Sequence, residues 1–253
     1  MFTENSKEPD SPGTAPNRSR RGRPRGRTAQ GAAARLSLYN TAIGLIAERG
    51  YQATTLRDVA ERAGVSVGLL YRYFPSKRAV VIALYDELSA KYAARAAEMK
   101  SGKWRDRFIF ALTTSLQVLS PHRSTLAALV PVLVGDANEG LFTSTTAFSR
   151  QRVQRVFQDA VVGATDAPRA EVTAALGRLL YLVHLAIILW WLLDKSPRQR
   201  ATTSLIALVR QLLPASALTL RLPQARAFIV VGDKLFREAL FDDSGPFRSS
   251  LEL

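Results

Sequence analysis

The sequence predicts an all-α protein, and three observations support that prediction. Apolar residues recur at three- and four-residue spacing in most of the chain, as Leu36, Tyr39, Ile43 and Ile46 illustrate. Residues that cap helix ends stand at the borders of several of these stretches. Alternating strand patterns are scarce, and the best of them is the short segment 217–222. The chain therefore predicts helices packed on helices.

Composition limits the classes of function. The chain has 253 residues, of which 47% are hydrophobic, so it can build a packed core. Its net charge of +14 indicates a polyanionic partner. Cysteine is absent, which excludes disulfides and thiolate chemistry, and two histidines are too few for a histidine-rich metal site. We expect no metal, no cofactor and, because no secretory signal is visible, a cytoplasmic location.

The first helical pattern follows a basic arm. Residues 1–31 contain almost nothing large and apolar, so we predict that they form a disordered arm. The stretch 21–27 resembles an AT-hook core, in which arginines enter a narrow minor groove. A basic tail that binds DNA through counterion release alone explains the same residues equally well. In either case we expect Arg23, Arg25 and Arg27 to contact DNA.

Residues 32–78 predict a helix-turn-helix domain. A first helix runs from Ala32 to Arg49, and Thr55 with Asp58 forms a capping box that starts the second. Gly64 ends that helix, and Ser66 caps the next, which runs to about Phe74. A small residue at the helix contact, a glycine at the turn and an apolar residue after it are what the motif requires. An ordinary helical hairpin would show the same spacing.

The residues at the C-terminal end of this motif distinguish a helix-turn-helix from an ordinary helical hairpin. The run 68–74, followed by Ser76 and Lys77, resembles the DNA-binding signature of the TetR family of bacterial transcriptional regulators (TetR/AcrR-like). The resemblance covers about residues 36–84. It implies an all-helical homodimer whose N-terminal domain binds an operator in double-stranded DNA and whose C-terminal domain dimerises and holds a small inducer. Leu69 departs from the commoner Thr or Ala, and it can pack only on a thymine methyl.

The resemblance also assigns roles to single positions. Thr55, Tyr71 and Lys77 match phosphate contacts, and 66–70 match the recognition helix. Together with the arm, the predicted DNA-binding residues are Arg23, Arg25, Arg27, Thr54, Thr55, Ser66, Val67, Gly68, Leu69, Leu70, Tyr71, Arg72, Tyr73 and Lys77. A palindromic operator and a repressor that responds to a ligand follow from the same resemblance.

Residues 79–253 predict a helical ligand-binding and dimerisation domain. Its most apolar part, 174–193, approaches membrane-spanning length, which leaves a membrane-associated protein as the alternative function. Arg178 and His184 inside that window favour instead a buried helix of a dimer interface. We therefore expect no membrane partner.

Four residues are candidates for an apolar inducer site: Trp104, Phe108, Tyr181 and His184. Aromatic residues at helical spacing are more often plain core, and a lone histidine is more often a hydrogen-bonded core residue. No Ser/His/Asp order, phosphate-binding loop or paired-carboxylate motif stands out, so we expect no enzyme. A DNA-acting enzyme such as a recombinase, carrying the motif as a targeting domain, is the third hypothesis.

Overall fold

The computed structural model describes residues 25–135, 140–220 and 222–240. Within them the chain is all α-helical, as predicted, and has no strand. The helices are α1 (Arg25–Arg49), α2 (Leu56–Arg62), α3 (Val67–Tyr73), α4 (Lys77–Ala96), α5 (Trp104–Leu119), α6 (Arg123–Gly135), α7 (Ala147–Val162), α8 (Ala170–Leu193), α9 (Arg200–Thr219) and α10 (Pro223–Leu240).

The first helix begins earlier than predicted. Residues 25–31 continue α1 at its N-terminal end, so the predicted boundary between arm and domain at residue 31 is corrected. Ala32, Ala33 and Ala34 are strong helix formers, and a helix already nucleated by the apolar face beyond them extends at little cost. Arg23 and the rest of the arm lie outside the described residues.

The turn between α2 and α3 has the geometry that its residues predict. Gly64 adopts a left-handed φ of +66°, which only glycine tolerates without strain. The N–H of Val65 donates to the carbonyl of Ala60 at 3.0 Å, and the N–H of Gly64 donates to that of Glu61 at 3.1 Å. These are the two hydrogen bonds of a Schellman motif. They set the angle at which α3 leaves α2.

Both short helices start at side-chain caps. Thr55 Oγ1 accepts from the N–H of Asp58 at 3.1 Å, and Asp58 Oδ2 accepts from the N–H of Thr55 at 2.8 Å, which completes the predicted capping box. Ser66 caps α3 through the N–H of Leu69. A helix of seven residues has little stability of its own, so these caps and the core contacts hold α2 and α3 in place.

α4 connects the two parts of the molecule. Its N-terminal turn packs into the core of the helix-turn-helix through Val80, Val81 and Leu84. Its second half, with Leu88 and Tyr92, belongs to the core that α5, α7 and α8 complete. At about 1.5 Å per residue, this one rigid rod of 20 residues reaches from the predicted DNA-binding end into the larger domain.

The described C-terminal part of the chain is helical, as predicted. A short 3₁₀ segment, Ser144–Thr146, precedes α7, which starts at Ala147. α9 continues through Pro214 to Thr219, and it takes up the first half of the segment 217–222 that looked most like a strand. An alternating pattern of three residue pairs is too short to outweigh helix propagation.

α10 is held on α8 by a buried ion pair. The Arg178 guanidinium donates to both carboxylate oxygens of Asp233, from Nε and Nη2, at 2.6 Å each. Asp233 is buried, although its neighbours on α10 are mostly exposed. A bidentate pair of this kind fixes both the register and the orientation of one helix on the other.

Among the residues that the structure describes, three stretches are long and apolar enough to cross a membrane by length and composition alone: Trp104–Gly135, Ala170–Leu193 and Pro197–Thr219. For the second, which is α8, the structure supports the buried interpretation. Half of its most apolar window is covered inside the molecule, and Nε2 of His184 and the guanidinium of Arg178 form hydrogen bonds with other helices. The membrane interpretation is therefore not favoured.

Candidate nucleic-acid interface and ligand cavity

One surface of α3 presents most of the predicted recognition residues to solvent. Ser66, Val67, Gly68, Tyr71 and Arg72 are exposed. Tyr71 shows half of its side chain, and no acidic residue lies on this helix. Leu69 and Tyr73 are partly covered. This is the arrangement by which a short helix offers side chains to the edges of bases in a major groove.

Two predicted DNA contacts belong instead to the interior, and they are corrected here. Leu70 has no exposed surface. Positions 67, 68 and 71 lie on one face of the helix, and position 70 lies on the opposite face, which packs against the core. Thr54 is 1% exposed, and its hydroxyl donates to the carbonyl of Gly50 at 2.8 Å. It closes the turn between α1 and α2. Thr55, the next residue, is exposed at the N-terminus of α2.

Lys77 lies at the start of α4 and has a structural role that the sequence did not reveal. Its ammonium donates to the backbone carbonyls of Tyr51 and Thr54, the latter at 2.9 Å, and lies 4.1 Å from the centre of the Tyr51 ring. It therefore joins α4 to the segment before α2. The phosphate contact predicted for Lys77 stays a prediction beside this observed contact.

The larger domain contains an apolar cavity of about 140 Å³ between α4, α5, α6, α7 and α8. Nine of its eighteen lining residues are aliphatic, three are tyrosines, and the other six are polar or charged. The lining side chains are those of Tyr85, Leu88, Ser89, Tyr92, Ser115, Leu119, Leu126, Leu133, Leu141, Thr146, Ser149, Arg150, Val153, Tyr181, His184, Leu185, Ile188 and Leu192. An apolar pocket with a few convergent polar groups is the usual form of a small-molecule site.

His184 is the polar centre of this cavity. Its Nε2 and the hydroxyl of Ser115 share a hydrogen bond of 2.8 Å. Burial lowers the pKa of His184 to about 3, so the imidazole is neutral at physiological pH. The ring of Tyr92 stacks on it at 6.3 Å between centroids and 5° between planes. Burial likewise raises the pKa of Tyr92, which keeps its phenol protonated.

The structure brings only two of the four predicted ligand residues into the cavity. Tyr181 and His184 line it. Trp104 and Phe108 do not, and this prediction is corrected. Phe108 packs its ring against Phe157 at 6.0 Å, one layer behind the wall, and Trp104 borders a separate cleft near the start of α5. Both lie at the far end of α5, two to three turns before the residue that faces His184.

Sequence reasoning missed Tyr92 and Ser115, which complete the polar centre. The available signal was a polar residue on an apolar helix face. Ser115 lies within the stripe formed by Ala111, Leu112 and Val118, and all four are buried. A lone serine of this kind is common in helices, so only the contact with His184 on a helix about 70 residues away distinguishes it.

The outer surfaces of α8, α9 and α10 are apolar and exposed. Trp190 on α8 shows 50% of its surface, Leu212 on α9 58% and Phe228 on α10 84%. Exposed apolar residues continue along each of these helices. The others are Val183, Leu193, Leu208, Leu218, Val230, Val231, Leu235 and Phe236. Many exposed apolar residues on neighbouring parts of a chain are characteristic of a protein–protein interface.

The fold and this site define a protein with a helix-turn-helix domain at its N-terminal end. The sequence profile of the bacterial regulatory proteins, tetR family, matches residues 38–84, from the middle of α1 into α4. This is the segment whose caps, turn and exposed helix are described above. This segment of the chain is therefore similar to the bacterial regulatory proteins of the tetR family.

Curated proteins with a similar sequence include two regulators. The HTH-type transcriptional repressor KstR2 of Rhodococcus jostii is 38% identical over 37% of this chain and 47% of its own length. The fatty acid metabolism regulator protein of Bacillus subtilis is 31% identical over 43% of this chain and 50% of its own length. The chain thus matches about half the length of these curated relatives.

Solved structures share the whole fold. A tetR-family transcriptional regulator from Streptomyces coelicolor superposes with a TM-score of 0.56 at 20% identity, covering 85% of this chain and 93% of that one. The regulator FadR from Bacillus subtilis, in complex with stearoyl-CoA, superposes with a TM-score of 0.57 at 17% identity, covering 70% and 96%. The likeness thus extends beyond the helix-turn-helix to the C-terminal helices.

Proposed function

We propose that the protein is a transcriptional repressor that binds operator DNA as a homodimer and responds to a small ligand. The observation that supports it best is the exposed face of α3, held by the Thr55–Asp58 capping box and the turn at Gly64 within the tetR-family segment. Such a regulator acts by occupying DNA rather than by catalysis, and it works in the cytoplasm.

In this proposal α3 lies in a major groove. Val67, Gly68 and Leu69 meet base edges, while Thr55, Tyr71 and Arg72 contact phosphates or bases at the borders of the groove. Leu69 offers an apolar contact to a thymine methyl. Lys77, Tyr73 and the arm with Arg23, Arg25 and Arg27 add positive charge or packing next to this helix.

The apolar surface of α8, α9 and α10 supports a dimer. Two copies that pair these surfaces around a two-fold axis bury Trp190 and Leu212 in an isologous contact. The two α3 helices then meet successive turns of the duplex, about 34 Å apart, which requires a near-palindromic operator.

α4 supports the response to ligand. It carries Leu88 and Tyr92 in the cavity wall, and Lys77 at its other end joins the helix-turn-helix. A ligand that occupies the cavity favours one position of α4 over another, and a shift of α4 moves the attached domain. A small change in the separation of the two α3 helices is enough to release the operator.

Selection of bound fragments from random double-stranded DNA tests this proposal. The expected product is a pair of inverted half-sites whose centres lie about one helical turn apart. Arg72→Ala should lose affinity for the selected site. Arg95→Ala, an equal loss of charge on the last turn of α4 about 27 Å along the helix from Lys77, should not. Recovery of no enriched sequence, or equal loss in both variants, contradicts the proposal.

A further inference from the structure

The wall of the cavity contains two buried polar atoms that the protein leaves unused. Among the described residues, neither the hydroxyl of Tyr92 nor Nδ1 of His184 has a hydrogen-bond partner. The two residues are 2% and 3% exposed. Buried polar groups are almost always paired, since an unpaired one loses the hydrogen bonds that water would supply. Two of them on stacked neighbouring rings in one cavity therefore indicate a ligand.

The chemistry of these atoms restricts what they can bind. The phenol donates one hydrogen bond and accepts others. The neutral imidazole donates from one nitrogen and accepts at the other, and the Ser115 hydroxyl at Nε2 is able to serve either tautomer. A ligand hydroxyl matches both atoms at once, because it accepts from the Tyr92 O–H and donates to Nδ1. A carbonyl oxygen also matches, with the proton of the imidazole on Nδ1.

Charge at this position is disfavoured. Half of the lining residues are aliphatic, and Phe157 lies 4.7 Å from the His184 ring between centroids. An anionic head placed between these two rings would lose much of its hydration. Arg150 is the one charged residue of the cavity wall, and its Nη1 donates to the carbonyls of Leu141 and Thr143 at 3.1 Å each.

We infer that the cavity binds a neutral, mostly apolar molecule carrying one hydroxyl or carbonyl oxygen, which Tyr92 and His184 recognise together. This inference rests on the proposed function, in which the cavity is the regulatory site. Its volume of about 140 Å³ holds a single ring or a short branched chain, comparable to an engineered apolar cavity of about 150 Å³ that binds benzene.

Calorimetric titration of the full chain with three probes of one size tests the inference. Benzyl alcohol supplies the ring and the hydroxyl, toluene the ring without oxygen, and benzoate the ring with a negative charge. We expect benzyl alcohol to bind and benzoate not to bind. Tyr92→Phe should weaken benzyl alcohol about tenfold and leave toluene unchanged or tighter, since it removes the hydrogen bond and keeps the ring.

Two further variants complete the design. His184→Phe should also weaken benzyl alcohol selectively, while Tyr39→Phe, a buried tyrosine of α1 outside the cavity wall, should change neither probe. Benzoate binding that depends on Arg150 would overturn the inference and assign an anionic ligand. Equal effects of Tyr92→Phe on benzyl alcohol and toluene, or no binding of benzyl alcohol, would overturn it as well.

The outcome is separable from that of the proposed function. The titration uses the free protein, whereas the proposed function is tested by selection of DNA. Enrichment of a palindromic site together with failure of the alcohol titration would reject only the ligand class. Failure of the selection with selective binding of benzyl alcohol would reject the regulator and retain the site.

Discussion

Nζ of Lys77 donates a hydrogen bond of 2.9 Å to the backbone carbonyl of Thr54, and so joins the first residue of α4 to the segment that leads into α2. The same ammonium donates to the carbonyl of Tyr51 and lies over its ring. Together with the packing of Val80, Val81 and Leu84, this side chain fixes the start of α4 against the helix-turn-helix.

Lys77→Met should lower the free energy of unfolding by about 1–2 kcal/mol, since it removes hydrogen bonds from a charged donor and keeps the aliphatic stem. Chemical denaturation measures it. Lys91→Met is the matched control, because Lys91 lies on the same helix in an exposed pair with Glu87 that contributes only a few tenths of a kcal/mol. Equal destabilisation by the two substitutions would show that the hydrogen bonds of Lys77 to the segment before α2 do not stabilise the fold.

Leu69 and Leu70 are adjacent, but we expect substitution of Leu70 to affect stability and substitution of Leu69 to affect the choice of DNA sequence. Leu70→Ala should cost about 3 kcal/mol of stability, because the side chain is fully buried. Leu69→Thr should cost less than about 1 kcal/mol and should change the base preferred at one position of each half-site. Denaturation and repeated DNA selection measure the two effects. A change of base preference in a folded Leu70→Ala variant would restore that residue to the DNA contacts.

Tyr71→Ala should weaken binding to every sequence to a similar degree and flatten its salt dependence. If Tyr71 meets a phosphate, its removal leaves one contact fewer to displace a counterion, so the slope of log K against log salt falls by up to about one. Binding is measured between low and moderate salt. An unchanged slope with a loss confined to one sequence would instead assign Tyr71 to a base.

Because of the capping box, the stability of the helix-turn-helix domain should fall at acidic pH. Hydrogen bonds from the Thr55 hydroxyl and backbone N–H lower the pKa of Asp58 below its usual value. A carboxyl with a lowered folded pKa stabilises the fold above its unfolded pKa of about 4, and this contribution disappears as the pH falls through the folded pKa.

Asp58→Asn should therefore be less stable than the parent chain at neutral pH, and the difference should shrink below about pH 4. Thermal unfolding at a series of pH values measures it. Thr55→Ala, which removes the partner hydroxyl, should cost about 1 kcal/mol at neutral pH. A difference between Asp58→Asn and the parent chain that is constant across this pH range would show that the carboxylate does not contribute.

Asp233→Ala should destabilise the packing of α10 on α8. It leaves the partly buried Arg178 guanidinium without the carboxylate that both of its donors contact, and the loss of one partner of a buried pair costs about 3 kcal/mol. Limited proteolysis should then cut within α10. Replacing both residues by apolar ones, Arg178→Met with Asp233→Leu, should restore much of the stability, whereas a cut that persists in the double variant would contradict this account.

Trp190→Glu should convert a dimer to a monomer, because it places a charge on the exposed apolar surface of α8. Sedimentation of the purified chain measures the change. Phe148→Glu provides the control, since Phe148 is similarly exposed at 68% but lies on α7. If both variants keep the oligomeric state of the parent, the surface of α8, α9 and α10 is not the interface.

Features that depend only on neighbouring residues, such as helix caps and turns, were predictable from the sequence. The capping box of Thr55 and Asp58, the caps at Ser66 and Ser76, and the turn at Gly64 each depend on contacts within six residues along the chain. The caps at Thr55 and Ser66 located the observed starts of α2 and α3, whereas α1 began seven residues before the predicted start. The family motif lies in the same local segment, which is why it was recognisable before any contact was known.

Tertiary structure alone decided which side chains share a site. Periodicity places Leu70 and Tyr71 on one short helix, but only packing against the rest of the domain makes Leu70 a core residue and Tyr71 a surface residue. Ser115 and His184, or Arg178 and Asp233, meet across helices separated by more than 50 residues. These contacts depend on the crossing angles and axial offsets between helices. Both arise from the packing of many side chains at once. The sequence by itself therefore determined the helices and the DNA-binding motif, and the fold determined the cavity.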